Sequence, residues 1–160
     1  MTTIAIDHTS IAADGLGCIA DEVIDADASK IEIVRESGQV VVYALSGPRA
    51  IRGPLIAWEQ AGATVPDLPG GLHSDLGWSF VAIKRDGTWF YTSKCPYAVK
   101  VKTPFAIGAG ADYATGMMHA GKTAEEAIRL IIERRLNVYT GGEVQVVNLA
   151  AVFGKLRAVE

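Results

Sequence analysis

The sequence predicts an α+β protein in which antiparallel sheets carry helices on their outer faces. Three observations lead there. The segments run strands, one helix, strands, two helices, then a strand, an order that suits antiparallel sheets flanked by helices. Lys30-Ile31-Glu32-Ile33-Val34 alternates polar and apolar, as a half-buried strand does. Val40-Val41-Val42-Tyr43-Ala44-Leu45 is a β-rich run without a charge, which fits a central strand buried on both faces.

The elements follow in order. Thr3-Ile4-Ala5-Ile6 and Ser10 to Gly15 read as two strands joined across Asp7-His8-Thr9, with Asp14-Gly15 closing the second. Glu36-Ser37-Gly38-Gln39 is a turn, and Ser46-Gly47-Pro48 ends the central strand. Pro48 to Gly62, with Ala50, Ile51, Leu55, Ile56, Ala57 and Trp58, reads as one helix that Pro54 kinks or starts. Thr64 to Gly71 is a Pro/Gly loop. Trp78 to Lys84 and Thr88 to Ser93 form a hairpin around Arg85-Asp86-Gly87. Phe105 to Gly108 is a short strand, and Asp112 to Ala120 a helix. Thr123, with Glu126 three residues on, is a capping box opening a helix whose apolar positions include Ala127, Leu130 and Ile131, with Leu136 beyond them. Glu143 to Leu149 is the last strand.

The chain of 160 residues is most simply one domain, 1–160, long enough to bury a core. Apolar residues make up 49% and charged ones 21%, a globular composition rather than a disordered one. A net charge of −3 gives no electrostatic case for nucleic acid. No apolar run approaches the roughly 20 residues of a membrane helix, and no basic-then-apolar opening marks a signal peptide. Cys18 and Cys95 lack C-x-x-C or His spacing and read as inert thiols in a reducing, cytoplasmic setting.

One chemistry needs no histidine. A threonine at the chain start can use its own α-amine, with a pKa of roughly 7.7–8.0, to take the proton of its hydroxyl. Thr2 is small enough to permit removal of Met1, after which it would hold that position. A nearby cation and an orienting carboxylate would help, and Lys30 and Asp14 are the candidates.

Thr2-Thr3-Ile4-Ala5, Ala12-Ala13-Asp14-Gly15, Ser29-Lys30-Ile31 and Ala44-Leu45-Ser46-Gly47 resemble proteasome β subunits in order and spacing, and the bacterial HslV peptidase most of all. Ala106-Ile107-Gly108-Ala109-Gly110, Thr123 to Ala127 and Val138-Tyr139-Thr140 extend the likeness; from about Pro48 to Pro104 only the pattern matches. The resemblance implies a four-layer αββα sandwich, the N-terminal-nucleophile hydrolase fold, here with a reduced first helical layer. It implies Thr2 as nucleophile, Lys30 as its electrostatic partner and Asp14 as the residue orienting Lys30. It implies an oxyanion hole at the backbone N–H of Ala44, where the family usually has Gly, with Gly47 following. The substrate pocket would be lined by Gly17, Ala28, Glu32 and Val42, favouring an apolar side chain, with Glu32 admitting a base. Polypeptide substrates, a homo-oligomeric ring and an AAA+ ATPase partner follow by the same analogy, with no cofactor and no metal.

The sequence departs from the family at two places. Ala109 stands where the family has a serine supporting the terminal amine, and Arg135 or Asn137 where it has a late carboxylate. These losses leave open a rival reading, a proteasome-like structural or regulatory subunit without catalysis. A third, nucleotide binding, rests on Gly116 to Thr123, which matches G-x-x-x-x-G-K-[ST]; no strand precedes it, and a helix stop followed by a cap explains it. His8, His73 and His119 have no metal-ligand spacing. Trp78, Phe80, Trp89 and Tyr91 read as core or subunit interface.

Overall fold

The computed structural model describes residues 2–19, 22–72 and 77–154. Eleven strands and four α-helices lie among them. Strands β1 (Thr3–Ile6) and β2 (Ser10–Ala13) pair antiparallel, and β10 (Phe105–Gly108) and β11 (Gln145–Asn148) flank them in the order β10-β1-β2-β11. A five-stranded antiparallel sheet runs in chain order through β5 (Ile31–Glu36), β6 (Gln39–Ser46), β7 (Ser79–Lys84), β8 (Gly87–Thr92) and β9 (Val99–Val101). A separate pair, β3 (Gly17–Ile19) and β4 (Glu22–Asp25), stands beside them.

The expected β6 is present, and its two faces enter different cores. Val41, Tyr43 and Leu45 join Leu55, Ile56 and Trp58 of α1 (Arg52–Gln60). Val42 and Ala44 join Ile4, Ile6 and Ile11 of the other sheet. A strand with period-two side chains can serve two cores only if both faces are apolar, which explains its uncharged sequence. A third core packs Ala5 and Ala12 against α2 (Ala111–His119) and α3 (Ala124–Glu133). In α3 the buried positions are Ala124, Ala127, Ile128 and Ile131, one stripe of a 3.6-residue repeat. Ile128 and Ile131 are fully buried, each contributing on the order of 2 kcal/mol of apolar burial.

Local signals fixed several ends. The Thr123 hydroxyl accepts from Glu126 N, and the Glu126 carboxylate accepts from Thr123 N, so the capping box forms. Pro54 lies in the first turn of α1, where its missing N–H leaves no bond unmade. Residues 49–51 ahead of it form a 3-10 turn, so the expected helix from Pro48 is shortened at its start. The β7–β8 hairpin pairs Lys84 with Gly87, which puts Gly87 in the strand and leaves Arg85-Asp86 as the turn. The last strand is shorter than expected, because Asn148 caps α4 (Leu149–Phe153) by accepting from Ala151 N. Trp78, Phe80 and Tyr91 are core residues of the α1 side, and Trp89 packs against them. His8 and His119 are exposed; His73 lies outside the described residues.

Asp7 ties the β1–β2 turn to α3. Its carboxylate accepts from Thr9 N, Thr9 Oγ1, Ser10 N, Ser10 Oγ and, across 117 residues, Ala124 N. Burial pushes its pKa up, but the backbone and hydroxyl donors outweigh this and hold it below the ordinary carboxylate value. A carboxyl with a lowered folded pKa adds stability above its unfolded value, roughly 3.9, and that stability fades as pH falls through the folded value. Urea unfolding of wild type and Asp7→Ala should therefore differ by about 2 kcal/mol near pH 6. The gap should narrow below about pH 4; a gap constant from pH 6 to pH 3 would contradict this role.

Candidate functional site

Three loops meet at the end of the sheets. Gly15 N donates to Gly141 O at 2.9 Å, Ala28 N to Gly15 O at 2.9 Å, and Glu143 N to Ala26 O at 2.6 Å. Gly15 makes this possible, since a Cβ there would stand 2.4 Å from Glu143 O and 2.6 Å from Ala26 O. Gln145 of β11 adds a cross-link. Its Oε1 accepts from Lys30 N and Ile31 N, and its Nε2 donates to Ile31 O. The lacing carries Asp14, at the end of β2, to Lys30, at the start of β5.

Asp14 is fully buried. Its Oδ1 accepts from Lys30 Nζ at 2.9 Å and from Thr3 N at 2.8 Å. Its Oδ2 accepts from Gly141 N at 3.1 Å and Leu16 N at 3.3 Å. Lys30 Nζ also donates to Leu16 O at 2.7 Å. Burial pulls the Lys30 ammonium below its ordinary pKa, and the charge and hydrogen bond of Asp14 oppose this. The chain start is thus joined through one carboxylate to a buried amine that binds its proton less tightly than a free lysine.

Thr2 is buried, and its carbonyl accepts from Ala109 N at 2.7 Å. It lines a cleft of about 590 Å³ together with Lys30, Gly17, Ala28, Gly47 and Cys18. Of the expected site residues, Thr2, Lys30, Gly17, Ala28 and Gly47 share this cleft, with Asp14 directly behind Lys30. Met1 lies outside the described residues.

Three expected residues stand elsewhere. Val42 does not line the cleft: it is fully buried between the sheets, because even-numbered positions of β6 face the other sheet. Glu32 does not line it either. It pairs with Arg52 Nε at 2.9 Å, and it is Arg52 that reaches the cleft wall. Ala44 is also fully buried with its side chain between the sheets. Leu45 N donates to Lys30 O on the β5 side, so strand alternation turns the Ala44 N–H toward β7, where Ala44 pairs with Val81. The Ala44 N–H thus lies in the sheet, while Gly47, the next residue beyond β6, lines the cleft.

Other groups carried no sequence signal. The Leu16 carbonyl and the Gly141 N–H act through backbone atoms, which no side chain announces. Cys18, read as inert, is half-buried on the cleft wall that Lys30 also lines. Asn137, not Arg135, reaches the site: its Nδ2 donates to Ala109 O at 3.0 Å, while Arg135 is exposed. The Gly116 to Thr123 segment forms no phosphate loop. Gly116 sits within α2, and Thr123 caps α3. Among the described residues no group of three or more His, Cys, Asp and Glu could hold a metal, and no helix is long and apolar enough to cross a membrane.

No protein-family model and no curated protein sequence matches this chain. Solved structures do. Eukaryotic HslV from Trypanosoma brucei superposes with a TM-score of 0.65 at 16% identity, covering 92% of this chain and 97% of that one. BPH from Thiobacillus denitrificans in complex with epoxomicin gives 0.64 at 17%, covering 92% and 96%. Anbu, the ancestral beta-subunit from Yersinia bercovieri, gives 0.65 at 14%, covering 92% and 81%. The chain has the N-terminal-nucleophile, proteasome-type fold.

Proposed function

We propose that this chain is a threonine-type peptidase subunit that hydrolyses amide bonds through Thr2 once Met1 is removed. The observation that carries the reading is the shared cleft of Thr2 and Lys30, with Asp14 joining the Lys30 amine to the Thr3 backbone. The freed α-amine takes the hydroxyl proton and the oxygen attacks the substrate carbonyl; the C–N bond then breaks as the α-ammonium returns that proton to the departing amine, and water hydrolyses the acyl-enzyme. The Lys30 ammonium favours the negative charge on that oxygen. The Gly47 N–H is the remaining donor for the carbonyl oxyanion, a role commonly worth roughly 3–4 kcal/mol. Leu16 and Leu45 on the cleft wall favour apolar substrate side chains, and Arg52 answers Glu32, which removes the expected preference for a base.

Three separate cores support reading the chain as a four-layer αββα sandwich, with α1 as a reduced outer layer and α2 and α3 as the full one. A single domain over 1–160 belongs to the same reading. Unfolded polypeptides as substrates, a homo-oligomeric ring, an AAA+ ATPase partner and a cytoplasmic location complete the reading by analogy with HslV.

One observation favours the rival reading of a non-catalytic subunit: Ala109, whose N–H holds the Thr2 carbonyl, offers a methyl where a hydroxyl would support the amine. Intact mass after incubation with epoxomicin separates the two. Processed wild type should gain one adduct, and Thr2→Ala none. A processed protein with Thr2 at its terminus and no adduct would establish the structural subunit instead.

A further inference from the structure

Asn137, Thr140 and Thr3 form a closed hydrogen-bond circuit with the Ala109–Gly110 peptide. Gly110 N donates to Thr3 Oγ1 at 2.9 Å. The Thr3 and Thr140 hydroxyls meet at 2.5 Å. Thr140 Oγ1 reaches Asn137 Oδ1 at 3.4 Å, and Asn137 Nδ2 returns to Ala109 O at 3.0 Å. Asn137 Oδ1 also accepts from Tyr139 N at 2.9 Å, which fixes its amide orientation.

The circuit has one consistent direction. Each hydroxyl accepts one proton and donates one: Gly110 N–H to Thr3, Thr3 O–H to Thr140, Thr140 O–H to the Asn137 carbonyl oxygen, and the Asn137 amide to Ala109 O. The Ala109 carbonyl and the Gly110 N–H belong to the same peptide plane, so that plane is held at both poles. Ala109 N–H, on the preceding peptide, is then aimed at the Thr2 carbonyl at 2.7 Å. Thr3 and Thr140 are both buried, where hydrogen bonds are least exposed to exchange with water.

We infer that Asn137 and Thr140 are positioning residues for Thr2, acting through the Ala109–Gly110 peptide in place of direct side-chain support to the amine. The inference rests on Thr2 as the nucleophile, and it assigns the chain's departure at residue 137 a role that a carboxylate could not fill. An ionised Asp at 137 accepts from Thr140 and Tyr139 but has no proton for Ala109 O; Asn has both functions.

Two readouts test it, one independent of catalysis. Amide hydrogen exchange at Ala109 should be at least tenfold faster in Asn137→Ala and in Thr140→Val than in wild type, while exchange in the β6–β7 ladder stays the same. Thr140→Ser, which keeps the hydroxyl, should retain wild-type exchange. The rate of epoxomicin adduct formation should fall about tenfold in Asn137→Ala. In Asn137→Asp the deficit relative to wild type at the same pH should shrink as pH falls and the new carboxyl gains a proton to donate. Unchanged Ala109 exchange in both circuit-breaking variants, or an Asn137→Asp pH profile parallel to wild type, would overturn the inference. Absence of any adduct on wild type would remove the peptidase reading, while the exchange data would still decide whether the circuit holds Ala109 against the Thr2 carbonyl.

Discussion

Asp14→Ala is expected to lower unfolding stability by about 3–5 kcal/mol and to abolish reaction of Thr2 with epoxomicin. Asp14 is fully buried and accepts four bonds, from Lys30 Nζ, Thr3 N, Leu16 N and Gly141 N. Its removal strands three backbone donors and a buried ammonium at once, and the cost of leaving groups unpaired exceeds what making the pair contributes. Part of the ammonium's cost is relieved by deprotonation, since Asp14 is what opposes the pull of burial on Lys30. That relief is itself damaging, because a neutral Lys30 no longer favours charge on the Thr2 oxygen. With a typical domain stability of roughly 5–15 kcal/mol, the variant would sit near the edge of folding. Asp14→Asn keeps one accepting oxygen but turns an NH₂ toward N–H donors, so an intermediate loss of about 2 kcal/mol is expected. Urea unfolding and intact mass give both numbers. A loss under about 1 kcal/mol in Asp14→Ala would mean that the carboxylate does not organise the loops.

What the sequence disclosed follows the range of the forces involved. The Thr123–Glu126 cap was legible because both partners lie within four residues. The β6 strand was legible because burial on two faces removes every charge from a run of six residues. The β3–β4 pair was not. Its second strand, Glu22–Asp25, carries exposed Val23 and Ile24 between two acids, so no apolar period marks it. Strand β9 is three residues, Val99–Val101, held by its ladder to β8, and a partner 11 positions away leaves no local trace. At the candidate site, spacing named Thr2, Asp14 and Lys30 as candidates, and the structure sets Thr2 and Lys30 in one cleft with Asp14 bonded to Lys30. Val42 and Ala44 were misplaced for one reason: which way a strand residue points depends on pairing register, and spacing does not give that. Leu16 O and Gly141 N–H were beyond reach, because every residue carries those groups.

Gly108→Ala is the substitution expected to disturb Thr2 most without touching a polar side chain. Gly108 closes β10 with φ +95°, a conformation alanine adopts at a cost of roughly 1–2 kcal/mol. The space is the greater obstacle. A Cβ would stand 1.8 Å from the Thr2 carbonyl oxygen and 2.8 Å from the Thr2 carbonyl carbon, both backbone atoms, with Ser46 Oγ at 3.0 Å. No rotamer can relieve a clash with backbone, so either the Thr3–Gly108 pairing of β1 and β10 opens or Thr2 is displaced by more than 1 Å. Pushing the carbonyl away also breaks its bond from Ala109 N, and with it the link between the chain start and the Ala109–Gly110 turn. A 1 Å misplacement of a reacting group costs roughly a hundredfold in rate. The expected result is therefore an adduct rate at least a hundredfold below wild type, with about 3 kcal/mol or more lost in urea unfolding. Gly38→Ala makes the matching control: Gly38 also has positive φ, at +76°, but has nothing within 4 Å of its Cβ position. It should carry the conformational cost alone and leave Thr2 reactivity intact. If Gly108→Ala were no worse than Gly38→Ala in both measurements, the close approach of β10 to the start of the chain would be wrong, and the support assigned to Thr2 would go with it.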